Sequence, residues 1–364
     1  MKALILAGGF GTRLRPLSCT RPKLMFPVAN RPLLDWALES LSKSGVDTVI
    51  LAVNYMADVL ERFFGRERYG MEIIYSREVK PLGTGGPIKK AEEFLKGEEN
   101  FFVLNGDILS RIDYRGLHDF HVENDGDGTI ALREVEDPSR FGAVELGKRN
   151  QILRFVEKPR LGESPSKLIN AGVYVLDRSV LELIPGDRKV STETEVFPVI
   201  AQRRKLYGYK FDGLWIDIGM PNDYIQANRM MLSLMAEKPV VKEGADIHGN
   251  AKLIPPVIIG EGVKVGEDAV IGPYASLGDG VEVGKGSRIQ SSVIFPGVWV
   301  DRFASIKGAV VGENAIVGQW VRVEEGCIIG DHVVIDDDVT MVNGVQVCPS
   351  KEVRESVLEP GTIM

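Results

Sequence analysis

Cysteine, histidine and long apolar runs are all scarce in this chain of 364 residues. Its three cysteines, Cys19, Cys327 and Cys348, lie far apart and form no CxxC pair, which excludes a disulfide framework and argues against structural zinc. No apolar stretch reaches the roughly 18 residues of a membrane span, and the first residues are too poor in apolar side chains for a secretory signal. We therefore expect reduced thiols, a cytoplasmic location and no membrane partner.

Excess positive charge is also missing. The chain has 44 Lys and Arg against 51 Asp and Glu, a formal net charge of −7, with no polybasic run. This balance argues against a protein that binds nucleic acid through a basic surface, so any phosphate must be held locally. A hydrophobic content of 44% suffices to bury a core, and the length favours two domains.

The first part of the chain, to about Tyr224, alternates short apolar runs with amphipathic runs. The predicted strands include KALILA, DTVILAV, EIIYS and FFVLNGD, and the predicted helices include RPLLDWALESLSKSG, MADVLERFFG and GGPIKKAEEFLKG. This alternation predicts an α/β domain with a mainly parallel sheet covered on both faces. Ligands of such sheets bind beyond the carboxyl ends of the strands, where the loops GGFGTR, PLGTGG and NGDI fall.

The last part of the chain repeats every six residues. One series of aliphatic and aromatic positions is Ile259, Val265, Ile271, Leu277, Val283, Ile289 and Phe295, and a second is Val311, Val317, Val323, Ile329 and Ile335. Between the two series, the steps from Phe295 to Val300, Ile306 and Val311 are five, six and five residues. The six-residue register therefore slips twice, each time by one residue. Hexapeptide repetition predicts a parallel β-helix with stacked aliphatic side chains inside; a glycine-rich sandwich is the alternative.

A glycine-rich loop follows the first strand and is itself followed by cations. The residues are Gly8, Gly9 and Gly11, then Arg13, Arg15, Arg21 and Lys23. Glycines let backbone N–H groups approach an anion, and the cations neutralise phosphates, so the loop predicts a phosphate site. It matches neither a Walker A loop nor a GxGxxG fingerprint. A turn that merely closes a strand–helix corner is the alternative.

Carboxylates follow two further strands. Asp107 in FFVLNGD and Asp217 in GLWIDIG follow apolar strands, where an isolated charge would be costly to bury. Two carboxylates beside a triphosphate are suitable ligands for Mg²⁺. A helix cap or loop anchor is the alternative for each. Glu157 and Lys158 offer an acceptor for sugar hydroxyls and a cation for a sugar phosphate, or form a solvated turn. Asn170 is a weaker candidate for binding a sugar.

Histidine offers no convincing metal site or general base. His118 and His121 lie three residues apart on a predicted helix but lack a third ligand, so we interpret them as a surface pair. His248 and His332 lie in or beside the repeats, where an acyltransferase β-helix would need a base, but a solvated corner explains them as well.

The ordered motifs resemble those of the sugar-phosphate nucleotidylyltransferases, and most closely the long-form mannose-1-phosphate guanylyltransferases. They are AGGFGTRLRPL, Pro22-Lys23, PLGTGG, FFVLNGD, RFGAVEL, FVEKP, INAGVYVL, TEVFPVI, GLWIDIGMPNDY and the tail RESVLEPGTIM, and they cover nearly the whole chain. The resemblance implies a Rossmann-like nucleotidyltransferase domain in residues 1–230, a linker in 231–245 and a left-handed β-helix domain with a tail in 246–364. Because stacked solenoids provide flat surfaces for self-association, we also expect a homo-oligomer formed through the β-helix.

The resemblance implies Mg²⁺-dependent transfer of a nucleotidyl group from a nucleoside triphosphate to a sugar 1-phosphate, here GTP and mannose 1-phosphate. The implied catalytic residues are Arg13, Lys23, Asp107 and Asp217, with both aspartates as metal ligands. The implied nucleotide-binding residues are Leu6, Gly8, Gly9, Gly11, Thr12, Arg13, Lys23, Gly83, Thr84, Gly86 and Asp107. The implied sugar-phosphate residues are Gly142, Glu157, Lys158 and Asn170.

One position departs from the family pattern in the shape of a loop, and another bears on the choice of nucleotide. The family's PKPL is Pro22-Lys23-Leu24-Met25 here, which changes the loop but keeps the lysine, and Gly86 replaces the Gln of the thymidylyl branch. The alternatives are the same chemistry with glucose 1-phosphate and UTP, dTTP or ATP, a non-catalytic regulatory paralogue that binds a nucleotide sugar, and a bifunctional enzyme whose β-helix transfers an acyl group.

Overall fold

The structure, a computed structural model, describes residues 1–160, 162–164, 166–186, 188–235 and 237–364. The chain divides into two compact units. The first consists of Met1–Gly9 and Leu34–Asp217, and the second consists of Phe10–Leu33 and Ile218–Met364. The segment from Phe10 to Leu33, which carries most of the predicted phosphate loop, therefore belongs to the same unit as the hexapeptide repeats.

The secondary structure up to residue 235 follows the predicted alternation of strands and helices. The strands are β1 (Lys2–Leu6), β2 (Pro27–Val28), β3 (Arg31–Pro32), β4 (Thr48–Val53), β5 (Glu67–Arg68), β6 (Met71–Arg77), β7 (Asn100–Asn105), β8 (Ile108–Ser110), β9 (Gly128–Glu134), β10 (Gly142–Leu146), β11 (Ile152–Glu157), β12 (Leu168–Asp177), β13 (Leu206–Lys210) and β14 (Trp215–Asp217). The helices are α1 (Leu33–Lys43), α2 (Ala57–Phe64), α3 (Gly85–Lys90), α4 (Tyr114–Asn124), α5 (Phe197–Gln202) and α6 (Pro221–Met235).

One large sheet forms the centre of the first unit. Its strand order is β11-β10-β12-β7-β1-β4-β6-β5, and β9 pairs with both β12 and β13. The neighbours β7, β1, β4 and β6 are parallel, whereas β12 is antiparallel to β7, β9 and β10. The predicted α/β class is confirmed, and the parallel strands come from the predicted apolar runs.

Burial explains why β1 and β4 lack an exposed polar face. Every residue of β4 is buried, as are Ala3, Leu4 and Ile5 in β1, because strands covered on both faces need apolar side chains on both. Helix α1 buries Leu34, Leu38 and Leu41, which share one face at helical spacing.

The repeats form a solenoid of short strands. They are β15 (Val240–Val241), β16 (Asp246–Ile247), β17 (Lys252–Leu253), β18 (Val257–Ile259), β19 (Lys264–Val265), β20 (Val270–Ile271), β21 (Ala275–Leu277), β22 (Glu282–Val283), β23 (Arg288–Gln290), β24 (Val293–Ile294), β25 (Trp299–Val300), β26 (Ser305–Lys307), β27 (Val310–Val311), β28 (Ile316–Val317), β29 (Arg322–Val323), β30 (Ile328–Ile329), β31 (Val334–Ile335), β32 (Thr340–Met341), β33 (Gln346–Val347), β34 (Glu352–Val353) and β35 (Thr362–Ile363).

These strands build three parallel sheets, each of which takes nearly every third strand of the series. Lys264 pairs with Glu282 and Ile271 with Ile289, each 18 residues further along, so that three hexads make one coil. The predicted aliphatic positions fill the interior, with Ile271 and Leu277 fully buried. This arrangement is consistent with a left-handed β-helix and confirms the predicted fold.

The predicted register is wrong at one place. Ile294 pairs with Leu277 in one neighbouring coil and with Val311 in the other, and it is Ile294 that joins the interior cluster. Phe295 follows the strand at a corner of the coil and contacts the rings of Phe26 and Tyr224 instead. The first slip therefore falls one repeat earlier than the spacing indicates, since two consecutive apolar residues compete for the inward position.

The segment Phe10–Leu33 of the second unit is held by α6 and by the repeats. The Tyr224 hydroxyl donates to the carbonyl of Pro27 at 2.5 Å, and the amide of Ala29 donates to Asn228 Oδ1 at 2.8 Å. Phe26 is buried with its ring centroid 5.4 Å from that of Tyr224. Helix α6 ends at Met235, and β15 begins at Val240.

No helix in the described part of the chain combines the length and the apolarity that crossing a bilayer needs.

We expect an interior isoleucine of the β-helix to carry far more stability than an outward-facing one. Ile289 is fully buried, whereas Ile316 is 46% exposed on the outer face. Ile289→Ala should lower the free energy of unfolding by about 2–5 kcal/mol, while Ile316→Ala should change it by about 0.5 kcal/mol or less. Urea denaturation followed by far-UV circular dichroism measures both, and equal losses would contradict the described register.

Candidate active site

The carboxyl ends of three parallel strands lie side by side in the first unit. In β1, Leu6 pairs with Ala52 of β4 and with Asn105 of β7. Backbone hydrogen bonds between neighbouring strands continue just past the strand ends. The Ala7 amide donates to the Ala52 carbonyl at 2.8 Å, and the Gly106 amide donates to the Leu6 carbonyl at 3.0 Å. The first glycine loop and the NGD loop therefore emerge at one edge of the sheet, as predicted for a ligand site.

Gly8 lies close to an acidic side chain that the sequence analysis did not single out. A Cβ atom on Gly8 would lie 3.4 Å from Cβ of Asn54 and 3.5 Å from a carboxylate oxygen of Glu78. Burial raises the pKa of Glu78, which directly follows β6. Glu78 belongs to no sequence motif that would mark it as a site residue. The parallel pairing of β4 with β6 brings it to this edge of the sheet.

The rest of the phosphate loop belongs to the second unit. Gly11 has a φ of 60°, in the left-handed region that favours glycine. Its carbonyl accepts a hydrogen bond from the Ser18 hydroxyl at 2.7 Å, and a Cβ atom here would lie 3.2 Å from Cβ of Ser18 and 3.6 Å from Cβ of Lys23. Thr12 and Arg13 are exposed in the short turn that follows. Gly11 thus lets the loop fold back toward Lys23.

The PLGTGG loop packs tightly against a distant segment of the first unit. Gly83 has a φ of 82°, and a Cβ atom on it would lie 2.3 Å from the carbonyl oxygen of Val190. Gly86 is buried, and a Cβ atom there would lie 2.3 Å from Cβ of Leu82. Packing alone therefore requires glycine at both positions.

Thr84 connects this loop to an acidic residue that the sequence analysis missed. Its hydroxyl donates to Glu193 Oε2 at 2.6 Å and accepts from the amide of Thr192 at 2.9 Å. The Ser191 hydroxyl donates to the same carboxylate oxygen at 2.8 Å. Glu193 directly precedes the motif TEVFPVI and lies 109 residues from Thr84, a separation at which the sequence carries no signal of contact.

Asp107 and Asp217 come together through a small antiparallel ladder. Asp107 directly precedes β8, and Asp217, the last residue of β14, pairs with Ile108, the first residue of β8. Both carboxylate residues therefore lie at the same end of the β8–β14 pair. Across the ranges that the structure describes, no cluster of three or more His, Cys, Asp or Glu could hold a metal ion. A donor set of two carboxylates fits Mg²⁺, which completes its shell with substrate phosphates and water.

Gly142 and Glu157 face each other across the ladder of β10 and β11. A Cβ atom on Gly142 would lie 2.5 Å from Cζ of Phe155 and 2.9 Å from Glu157 Oε2, so close packing against these two side chains requires glycine here. Burial, followed by the charge of Glu193, raises the pKa of Glu157. Lys158 has a φ of 46° and an exposed side chain, with its Nζ 3.7 Å from Glu157 Oε1. An acidic acceptor and an exposed cation thus lie together.

Asn170 is held in one orientation. Its Nδ2 donates to the Tyr174 hydroxyl at 2.9 Å, and its Oδ1 accepts from the Gly172 amide at 2.8 Å. Gly172 has a φ of 70°, and a Cβ atom on it would lie 2.7 Å from Nδ2 of Asn105, the last residue of β7. Asn170 and Gly172 therefore lie beside the carboxyl end of β7. Asn105 is a further candidate site residue that the sequence analysis missed.

Two family models match the chain, one described as Nucleotidyl transferase over residues 2–233 and one described as GMPPB C-terminal domain over residues 237–363. The chain belongs to the nucleotidyl transferase family. It is 41% identical over 371 residues to the mannose-1-phosphate guanyltransferase of Candida albicans, with all of both chains covered. It is also 41% identical over 370 residues to the mannose-1-phosphate guanylyltransferase catalytic subunit beta of Danio rerio, again over all of both chains.

A solved structure matches as well. The crystal structure of HddC from Yersinia pseudotuberculosis complexed with GMP-PN has a TM-score of 0.54 and 31% identity, over 63% of this chain and 99% of that chain. These findings confirm the resemblance stated from the motifs, and the chain is a nucleotidyltransferase. The individual roles of the site residues stay predictions.

The residues predicted to bind substrates in this nucleotidyltransferase occur in both units. The first unit contains Leu6, Gly8, Gly9, Gly83, Thr84, Gly86, Asp107, Gly142, Glu157, Lys158, Asn170 and Asp217. The second contains Gly11, Thr12, Arg13 and Lys23. Within the first unit the sheet edge brings Leu6, Gly8 and Asn105 together, and the β8–β14 ladder brings the two aspartates together.

The interpretation of the two helical histidines of the nucleotidyltransferase as a surface pair is wrong for one of them. Helix α4 buries the face that contains Tyr114, Leu117 and His121, and only 4% of His121 is exposed. His121 Nδ1 lies 3.0 Å from the Thr129 hydroxyl, while His118 Nε2 lies 2.9 Å from Asn100 Oδ1. Burial lowers the pKa of His121 to about 4.

Because the pKa of folded His121 lies below its usual value of about 6.5, folding favours the neutral ring. This stabilisation is complete above about pH 6.5 and is lost as the pH falls toward about 4, by up to roughly 3 kcal/mol. His121→Gln should therefore flatten the loss of stability between these pH values in urea denaturation. His118→Gln, a half-buried position on the same helix, is the matched control; identical pH profiles for the two variants would contradict the assignment.

Proposed function

We propose that the protein transfers a guanylyl group from GTP to mannose 1-phosphate, forming GDP-mannose and releasing pyrophosphate. The assignment of this substrate pair rests on the 41% identity, over the full length of both chains, to relatives named for mannose-1-phosphate guanylyl transfer. The carboxylates, cations and glycine loops described above are the groups that this reaction needs.

The first glycine loop is the proposed triphosphate site. Gly8, Gly9, Gly11 and Thr12 expose backbone amides to phosphate oxygens, while Leu6 ends the strand from which the loop begins. Arg13 and Lys23 neutralise the phosphates, with Lys23 on the α-phosphate. The positive φ of Gly11 supports this role, because it folds the backbone toward Lys23 without a side chain in the way.

Asp107 and Asp217 would hold one Mg²⁺ together with oxygens of the bound substrates. Bound there, the ion supplies charge neutralisation at the phosphates. The two residues fit this role because the β8–β14 pairing fixes their backbones side by side.

The sugar 1-phosphate is the proposed ligand of the groups around β11. Glu157, which pairs with Gly142 on the neighbouring strand, accepts hydrogen bonds from sugar hydroxyls. Asn170 donates its remaining amide hydrogen, and Lys158 binds the phosphate. Glu157 suits a polyol, because an ionised carboxylate only accepts hydrogen bonds and those it accepts from hydroxyls are charge-assisted.

The chemistry needs no general base. A phosphate oxygen of the sugar 1-phosphate attacks the α-phosphorus in line, the bond from that phosphorus to the bridging oxygen of the β-phosphate breaks, and pyrophosphate leaves. The nucleophile is already anionic, so the protein positions both substrates and neutralises charge with Arg13, Lys23 and Lys158. No histidine or cysteine has a catalytic role in this scheme.

Base selection is assigned to the PLGTGG loop. Gly83, Thr84 and Gly86 lie in a backbone held rigid by Val190 and by the bond between Thr84 and Glu193. A rigid loop can read a purine edge through its amide and carbonyl groups, since its geometry is set before the nucleotide binds.

The remaining proposals concern organisation. We assign residues 1–230 to the catalytic domain, 231–245 to the linker and 246–364 to the β-helix domain, and we place the protein in the cytoplasm as a homo-oligomer. Exposed apolar side chains on the outer surface of the β-helix, Trp299, Ile316 and Trp320, support self-association through that domain.

The function is tested by pyrophosphate release with Mg²⁺, crossing GTP, dTTP, UTP, ATP and CTP against mannose and glucose 1-phosphates. We expect GTP with mannose 1-phosphate to give the highest kcat/KM. A different preferred pair would overturn the substrate assignment, and no release from any pair would overturn catalysis.

Asp107→Asn should abolish turnover while leaving the fold intact, because a neutral amide binds Mg²⁺ far more weakly than a carboxylate does. Asp212→Asn, in the exposed loop before β14, is the matched control and should keep the wild-type rate. Circular dichroism checks the fold of both variants; a near-normal rate for Asp107→Asn would disprove the metal assignment.

Glu157→Gln should raise the KM for mannose 1-phosphate about 10- to 100-fold, since hydrogen bonds to a charged acceptor contribute about 1.5–3 kcal/mol. The KM for GTP should stay within about two-fold. Glu145→Gln, an exposed position on β10, serves as the control. Equal changes in both KM values would contradict a sugar-specific role.

A further inference from the structure

Arg21, which the proposed function leaves without a role, is bound by the β-helix. Its Nη2 lies 2.6 Å from Glu313 Oε2 and 2.6 Å from Asp331 Oδ2. Its guanidinium carbon lies 4.9 Å from the centroid of the Phe295 ring. Only 16% of the Arg21 side chain and 4% of the Asp331 side chain are exposed, so this ion pair is shielded from water and is stronger than a surface ion pair.

These three partners belong to one corner of three successive coils. Gly278, Phe295, Gly312 and Gly330 occupy equivalent positions, and the amide of each donates to the carbonyl of the following coil. Phe295 is the aromatic member of this glycine column, Glu313 follows Gly312, and Asp331 follows Gly330. The register slip that places Phe295 at the corner thus provides the ring on which Arg21 lies.

Asp331 differs from similar aspartates elsewhere in the β-helix. Asp279, Asp331 and Asp337 each accept, through Oδ1, an amide 18 residues earlier, at 2.8, 2.7 and 2.7 Å respectively. Asp279 and Asp337 are exposed, whereas Asp331 is 3% exposed. Its second oxygen accepts from the Thr20 hydroxyl and from Arg21, both at 2.6 Å. One oxygen of Asp331 therefore stabilises the coil, and the other binds the loop.

Arg21 is separated from Lys23 by one residue with a fixed φ. Pro22 has a φ of −65°, and the turn Lys23–Met25 closes with the Phe26 amide donating to the Lys23 carbonyl at 2.9 Å. Phe26 in turn packs on Tyr224 and Phe295. The backbone of Lys23 is thus held on both sides by residues anchored in the second unit.

We propose that Arg21 is a positioning residue for Lys23, and that Glu313 and Asp331 hold it in place, so that the β-helix takes part in nucleotide binding. The proposal rests on the proposed function, in which Lys23 contacts the α-phosphate. Arg21 itself touches no substrate; it acts by restricting the conformations of the loop before the triphosphate binds.

The test compares Asp331→Asn with Asp337→Asn in the full-length protein. Both variants keep the oxygen that accepts the amide of the preceding coil, but only Asp331→Asn removes one of the two carboxylates that bind Arg21. For Asp331→Asn we expect kcat/KM for GTP to fall about 10- to 100-fold, with the KM for mannose 1-phosphate within about two-fold of wild type. Asp337→Asn should match wild type in both. Equal kinetics for the two variants, or equal changes for both substrates, would overturn the proposal.

A second experiment removes Arg21, the other residue of this ion pair. Arg21→Leu should reproduce the loss, and the double variant Arg21→Leu/Asp331→Asn should lose no more than the worse single variant, because both break one interaction. Additive losses would overturn the proposal.

Hydrogen exchange on the substrate-free protein separates this inference from the function itself. Amides of residues 17–26 should exchange faster in Asp331→Asn than in Asp337→Asn, and unchanged exchange would overturn the anchoring. If wild type releases no pyrophosphate, it is the proposed function that fails.

Discussion

The parallel hydrogen bonding of β7, β1 and β4 is the constraint on which the candidate site of the first unit depends. Because neighbouring strands run in the same direction in fixed register, Leu6, Ala52 and Asn105 end side by side. The glycine loop, the NGD loop and the residues after β6 must then leave the sheet at the same edge. A one-residue shift in this pairing would turn the strand side chains over and separate these loops.

In the β-helix, the coil itself is the equivalent constraint. Each coil bonds to the next through backbone groups, so a corner position in one coil lies next to the same corner in the neighbouring coils. A cluster can therefore be built from residues 17 or 18 apart in sequence, and Phe295, Glu313 and Asp331 are such a cluster. The coil brings them together, and Arg21 uses all three.

The spacing of apolar residues predicted the individual strands and coils, but it could not predict contacts between residues far apart in the sequence. The strands β1, β4, β6 and β7 and the coils were predictable because apolar spacing directly reflects burial. The first register slip was misplaced because Ile294 and Phe295 are both apolar, and only packing decides which points inward. Glu193 beside Thr84 and Asp331 beside Arg21 are separated by 109 and 310 residues, and no pattern within one segment reports such contacts. His121 looked exposed because its helix has polar residues beside it.

The chemistry proposed here has one defining feature: the nucleophile is a phosphate oxygen of the sugar 1-phosphate and the leaving group is pyrophosphate. The most direct measurement uses mannose 1-phosphate labelled with ¹⁸O in its phosphoryl group, together with GTP, and determines the label in both products by mass spectrometry. All label in the nucleotide sugar and none in pyrophosphate is the predicted result. Label in pyrophosphate, or an unlabelled nucleotide sugar, would contradict attack at the α-phosphorus.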